Sequence, residues 1–319
     1  MSALPYLLHG TTLALVWFLL LNVAATASVA IVSARLTKPS RAASPGFWLA
    51  FRLLPAVVSI AFVAVVFLPS YWRYEPRELV EGFDVTVTTL AALALSVIGA
   101  AAARGVSAWR RAAHRTNAWM RAGRPLTLAD TSMPAFAIDT DAPVMALVGV
   151  LRPRLLITRP VLDALTGEEL RAGVAHELGH RRAWDNLKRL AMRAAPDLLS
   201  ITGAAHAIER RWATASEHAA DRGAGDSDRA RCALASALVK VARLTPPIAL
   251  GSEPISALVE GGDITSRVQR LLDDAPSTGG GRWTRWLALA IPVCALALGY
   301  TPLLRIVHGV TEILVNALP

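Results

Sequence analysis

Cysteine is nearly absent, which excludes a disulfide framework. Cys232 lies in a polar region and Cys294 in an apolar run, and neither has metal-ligand spacing to another thiol. Both are expected to be buried small hydrophobes. No basic residue precedes the first apolar run, so that run lacks the positive start of a cleavable signal peptide. Ala25-Thr26-Ala27 imitates a cleavage site, but the apolar run continues past it, as an uncleaved membrane helix does. Tyrosine is missing between Tyr74 and Tyr300, and no internal repeat stands out. Acidic residues are outnumbered 24 to 33, leaving a formal charge of +9 carried mostly by arginine. In a membrane protein such an excess indicates cytoplasmic loops before it indicates nucleic acid, and no direct nucleic-acid binding is expected.

What is abundant is apolar sequence, 54% of the chain. Four runs, 11–32, 47–68, 83–103 and 283–304, reach the ~18 residues that suffice to span a bilayer core. Arg52, near the start of the second run, is expected to snorkel to the interface, and Pro55 to kink that helix. The loop after the first run carries Arg35, Lys38 and Arg41, whereas 70–82 is near neutral. The third run ends at Arg104 and opens into a basic segment with Arg110, Arg111, Arg115, Arg121 and Arg124, interleaved with Trp109 and Trp119. The positive-inside rule then places the N-terminus and 70–82 outside, and the first loop and everything after the third helix in the cytoplasm. The basic segment reads as a juxtamembrane helix. After the fourth run, Ile306, Val310, Ile313 and Leu314 keep helical spacing and either extend the last helix or lie on the outer surface.

Between the third and fourth runs the pattern changes. Residues 135–138, 144–150 and 154–158 read as strands of a small antiparallel sheet. Thr166-Gly167-Glu168-Glu169 is a capping box opening a helix that should end near Asp185. Further helices are expected from there to before Pro196, from about Ala204 to the Gly223/Gly225 region, and over 228–244. Pro276 to Gly281 reads as a flexible linker.

The chemistry is carried by Arg171 to His180, R-A-G-V-A-H-E-L-G-H. His176 and His180 are four apart and share a helix face, with Glu177 between them. This is the H-E-x-x-H arrangement in which two imidazoles hold a zinc ion and the glutamate moves a proton of the attacking water. Gly173 and Gly179 sit inside the helix at a cost of ~1 kcal/mol each relative to alanine, as expected where another backbone or a substrate passes close. A catalytic zinc needs a third protein ligand. Glu217 is the best candidate, with Asp221 four residues on to hydrogen-bond an imidazole N–H; His218 and His206 are rivals. With no tyrosine in this region, His206, His218 and Arg222 are the available oxyanion donors. The strand at 144–150 is the expected edge for an extended substrate.

Residues 143–185 (P-V-M-A-L-V-G-V-L-R-P-R-L-L-I-T … L-T-G-E-E-L-R-A-G-V-A-H-E-L-G-H-R-R-A-W-D), followed by E-H-A-A-D, resemble the integral-membrane zinc metallopeptidases typified by the bacterial beta-lactam sensor-transducers. Heat-shock-type membrane proteases and prenyl-protein endopeptidases are relatives of that family. The resemblance implies a gluzincin fold with His176, His180 and Glu217 as Zn2+ ligands, Glu177 as catalytic base and Asp221 supporting a ligand histidine. The expected architecture is mainly α: four transmembrane helices, with an α+β gluzincin-like protease domain between helices 3 and 4. The membrane part covers 1–104, a cytoplasmic protease domain 105–282, and the fourth helix with a short outer tail 283–319. The resemblance also implies a bacterial inner membrane as the location, a protein or peptide as substrate, a transcriptional repressor as one such substrate, and a separate sensor protein as partner. The sequence given ends fifteen residues past the fourth run, so the expectation is a relative without the penicillin-binding sensor. A quality-control protease and a non-enzymatic membrane scaffold are the alternatives; the intact chemical positions argue against the scaffold.

Overall fold

The computed structural model describes residues 4–36, 44–76, 84–128, 131–225, 227–244, 256–257, 264–273 and 300–315. Within them the protein is mainly helical with one small sheet, and three helical stretches are long and apolar enough to cross a bilayer. The first is α1 (Leu4–Arg35), whose 32 residues extend about 48 Å. The second is continuous through α2 (Pro45–Phe62), a π turn (Val63–Phe67) and α3 (Leu68–Tyr74). Ser44 opens it by accepting from the Phe47 amide. The wide turn lies just ahead of Pro69, which has no N–H for the Val65 carbonyl. The Tyr300 hydroxyl donates to that carbonyl instead, at 2.6 Å.

The third such stretch is α4 (Val85–Ala122), capped by Asp84. Its 38 residues extend about 57 Å, nearly twice a bilayer core, so it passes residue 104 without a break. The basic segment is the second half of this one helix. The expected linker at 276–281 and the first part of the fourth run, 283–299, lie outside the described residues. Residues 300–315 are helical. Leu304 and Val307 pack with Leu13, Val66, Phe67 and Val87, whereas the Ile306, Val310 and Ile313 singled out by spacing are exposed.

The sheet has strands β1 (Arg124–Leu126), β2 (Ala135–Ile138), β3 (Met145–Val148) and β4 (Arg154–Thr158). Helices α5 (Arg159–Ala164), α6 (Gly167–Ala183), α7 (Asp185–Ala194), α8 (Ala204–Ala224) and α9 (Asp228–Leu244) follow, then β5 (Ser256–Ala257) and α10 (Ile264–Leu272). The strand order is β1-β2-β4-β3-β5. The sheet is mixed rather than antiparallel: β3 and β4 form an antiparallel pair, and β3 takes the side of β4 away from β2, so β2 and β4 run parallel. Alternation of apolar residues shows which face is buried but carries no strand direction. A second expectation also fails. Strand β3 is not an open edge, because β5 pairs with it at Ala146 and Leu147.

The period of two divides the sheet's side chains cleanly. Met145, Leu147, Leu155 and Ile157 pack against Ala172 and Val174 of α6 and Leu234 and Leu238 of α9. Ala146, Val148 and Leu156 face the other way, towards Trp119 and Met120 at the end of α4. A third cluster joins the long apolar helices to the rest: Val29 of α1 and Trp48 of α2 meet Met192, Leu199, Ile208 and Trp212. Arg52 belongs to this seam. It does not snorkel; it is buried, with its guanidinium on Asp197 at 2.6 Å and Glu209 at 3.0 Å. The acidic partners come from a distant part of the chain, which local sequence cannot show. Cys232 is exposed rather than buried, and Cys294 is outside the described residues.

Helix α6 begins at the predicted capping box: the Thr166 hydroxyl accepts from the Glu169 amide, and the Glu169 carboxylate accepts from the Thr166 amide at 2.7 Å. The same buried carboxylate receives Lys240 at 2.8 Å and Ser236 at 2.6 Å, tying α6 to α9. Burial would raise its pKa, but these donors outweigh it and hold the group at about 2. A carboxylate with a depressed folded-state pKa stabilises above its unfolded value of 4.5, and that contribution disappears as pH falls through about 2. Glu169→Gln is therefore expected to cost up to about 3 kcal/mol at pH 7. Thermal unfolding of both proteins should show the difference in Tm shrinking between about pH 4.5 and pH 2.

Candidate metal centre

His176 and His180 stand one turn apart on the buried face of α6, and Glu217 reaches them from α8. The close approach of these helices is set by Gly179. A Cβ there would lie 3.2 Å from the Ala220 Cα and 3.3 Å from its Cβ, so the backbone of α8 passes where a side chain would be. Gly179→Val is expected to force α8 outward and to lower Tm by several degrees, with metal uptake weakened in the same protein.

His176, His180 and Glu177 are fully buried, and Glu217 nearly so. The two Nε2 atoms lie 3.2 Å apart. Glu217 Oε2 is 3.4 Å from His176 Nε2, and Oε1 is 3.4 Å from His180 Nε2. Behind the rings, His176 Nδ1 is 2.9 Å from Asp221 Oδ1, and His180 Nδ1 is 2.7 Å from Asp185 Oδ2. Each carboxylate selects the tautomer with its proton on Nδ1, which leaves both Nε2 lone pairs aimed at one another and at Glu217. Three lone-pair donors converging on one point repel unless a cation lies between them. Their spacing suits one, since donors bonded at 2.0–2.1 Å to a tetrahedral zinc are separated by about 3.3 Å. His176, His180 and Glu217 thus fit a divalent metal held by two imidazoles and a carboxylate.

Asp185 and Arg267 are the two partners that the sequence reading missed. Trp184 closes α6 in the left-handed conformation (φ 57°) and lets α7 start immediately, which turns Asp185 back onto His180. The Ser216 hydroxyl donates to the same carboxylate oxygen. Arg267, on α10, is buried; it forks onto Asp221 at 2.6 and 3.0 Å and reaches Glu217 Oε2 at 3.1 Å. A signal for it exists in the chain: residues 264, 267, 268 and 271 form an i, i+3, i+4, i+7 stripe, so an arginine stands on the buried face of an amphipathic helix.

The rival ligands fall outside the cluster. His206 is exposed, and His218 Nδ1 is 2.7 Å from Arg270. Burial and Arg270 push the His218 pKa down to about 4. Arg222 is exposed. Burial would lower the pKa of His180, but without a cation between the donors Asp185 and Glu217 outweigh it and raise the value to about 10; a metal ion on Nε2 would displace that proton. The same two imidazoles hold Glu217 well below the usual carboxylate range, against the effect of burial. Glu177 differs from Glu217, whose oxygens face both imidazoles and Arg267. Among the described residues neither Glu177 oxygen has a hydrogen-bond partner, and burial pushes its pKa up to about 7.

A pair of histidines one turn apart, a glutamate from a second helix and an unpartnered acid beside them define the class as a metal-dependent hydrolase. The sequence model for peptidase family M48 matches residues 109–278, more than half of the chain, and the protein belongs to that family. Its members are metal-dependent peptidases, generally with zinc. No curated relative matches the chain.

Proposed function

We propose that the protein is a membrane-anchored zinc endopeptidase that cuts proteins or peptides at or near the inner face of a bacterial cytoplasmic membrane, with its N-terminus outside. The observation that carries the reading is the convergence of His176 Nε2, His180 Nε2 and Glu217 within 3.2–3.4 Å of one another, next to a buried Glu177 with no hydrogen-bond partner among the described residues. His176, His180 and Glu217 would hold the ion, which supplies Lewis acidity to polarise the scissile carbonyl and acidify water. Asp221 and Asp185 keep the two imidazoles in the binding tautomer. Glu177, with a pKa near neutrality, takes the proton of the attacking water as its oxygen bonds to the carbonyl carbon. It delivers that proton to the amide nitrogen as the C–N bond breaks. The surrounding burial keeps this carboxylate from being solvated between the two transfers.

Three apolar helices long enough to span a bilayer, one of them continuous with the sheet's support at Trp119, favour substrates that are themselves in or next to the membrane. A transcriptional repressor, with a separate sensor protein as trigger, is the substrate we propose from the resemblance; a quality-control role on misfolded membrane proteins is the competing reading. Comparing peptides released in membranes of cells carrying the wild type or Glu177→Ala tests both. One or a few cleaved proteins that vanish with Glu177→Ala support the regulator reading. Many unrelated membrane fragments support quality control, and identical peptide sets in the two strains refute the endopeptidase.

A further inference from the structure

Three membrane helices converge on one short connection, the turn between α7 and α8. Asn22 of α1, fully buried, donates to the Pro196 carbonyl at 2.8 Å. Arg104 of α4 donates to the Ala195 carbonyl at 3.2 Å. Arg52 of α2 makes the most contacts: Asp197 at 2.6 Å, Glu209 at 3.0 Å and the Met192 carbonyl at 2.9 Å. The last contact has a local cause. Pro196 carries no N–H, so the Met192 carbonyl loses its partner within the helix and Arg52 supplies the donor. Asp197 in turn accepts from the Leu199 amide and fixes the short 3₁₀ turn that leads into α8.

The two helices joined here are those that support the metal centre. Helix α7 begins at Asp185, which orients His180. Helix α8 carries Glu209 and, eight residues or about 12 Å along the same rod, Glu217, with Asp221 one turn further. Burying an arginine with two carboxylates is costly unless the geometry is held, and a hydrophobic seam would join the helices as firmly. Apolar contacts from Val29 and Trp48 already form such a seam beside it. What the ion cluster adds is direction: a forked guanidinium fixes both ends of the turn in rotation and register, as apolar packing does not.

We propose that Arg52, aided by Asn22 and Arg104, is a positioning residue for the metal centre, through which the membrane helices set where α7 and α8 present Asp185 and Glu217. The inference rests on the zinc reading of the site, and the parent protein serves as its control.

The full chain in detergent is measured by chelator competition with zinc, by kcat and KM on casein, and by thermal unfolding. Three variants are compared: Arg52→Met; Arg52→Met with Asp197→Asn and Glu209→Gln, which removes all three charges together; and Asn22→Leu, which leaves a long apolar helix intact. The neutral triple variant should regain the Tm that Arg52→Met loses, yet bind zinc about tenfold or more weakly. Its kcat should fall at least as far, with KM within about threefold. Asn22→Leu should weaken zinc severalfold at unchanged Tm. Parental zinc affinity and kcat in the triple variant, or in Asn22→Leu should the triple fail to fold, overturn the proposal and leave Arg52 a fold anchor. A parent chain that takes up no zinc removes the zinc reading itself, a separate failure visible before any variant is made.

Discussion

Glu177→Gln is expected to lower kcat by about 10²–10⁴-fold, the range attributable to a positioned general base, while leaving zinc content at the parental value. Both halves follow from the geometry. Glu177 is fully buried, lies beside the ligand histidines in sequence, and among the described residues has no hydrogen bond on either oxygen. No other side chain depends on its charge for orientation, so glutamine preserves the shape and removes only the proton acceptor. The His176–Asp221 and His180–Asp185 pairs do not involve it. Steady-state cleavage of casein and metal analysis of the same preparation are sufficient. Zinc lost together with activity would show Glu177 to be structural rather than the general base.

The largest stability change is expected from Arg267→Leu. Removing this guanidinium leaves the carboxylates of Asp221 and Glu217 next to one another in a buried site, and breaking a buried ion cluster from one side costs about 3–5 kcal/mol. The variant should therefore unfold many degrees below the parent in metal-free buffer. Added zinc should recover part of that loss, because the ion offsets the same negative charge that Arg267 balanced and stabilises the folded state by mass action. Arg267→Lys should fall between the two, since a lysine meets one carboxylate but not both in a fork. Differential thermal unfolding with and without zinc reads all three. A Tm for Arg267→Leu within a degree or two of the parent would show that the acids do not need it.

The sequence made the local parts of this site legible. His176, Glu177 and His180 lie within five positions of one helix, the capping box that starts it uses residues three apart, and Gly179 inside the helix announces a close neighbour, which the structure identifies as Ala220 of α8. Glu217 and Asp221 were found because they too share a helix face. What escaped depends on packing between distant segments. Arg267 is brought to Asp221 by α10, and Arg52 to Asp197 by docking of α2 on the α7–α8 turn. Periodicity carries no information on which buried face meets which. The direction of β2 against β4, and the covering of β3 by β5, were hidden for the same reason. Three of the four apolar runs are helices long and apolar enough to cross a bilayer, as the sequence announced, and most of the fourth lies outside the described residues; α4 is longer than a bilayer core requires because nothing in its basic half breaks a helix.

The zinc site is read out by metal mass spectrometry of the purified full chain, its His180→Ala variant and its Glu177→Gln variant. One zinc per chain is expected in the parent and in Glu177→Gln, and close to none in His180→Ala. A parent without zinc, or equal zinc in all three proteins, would rule out His180 as a ligand of a resident zinc.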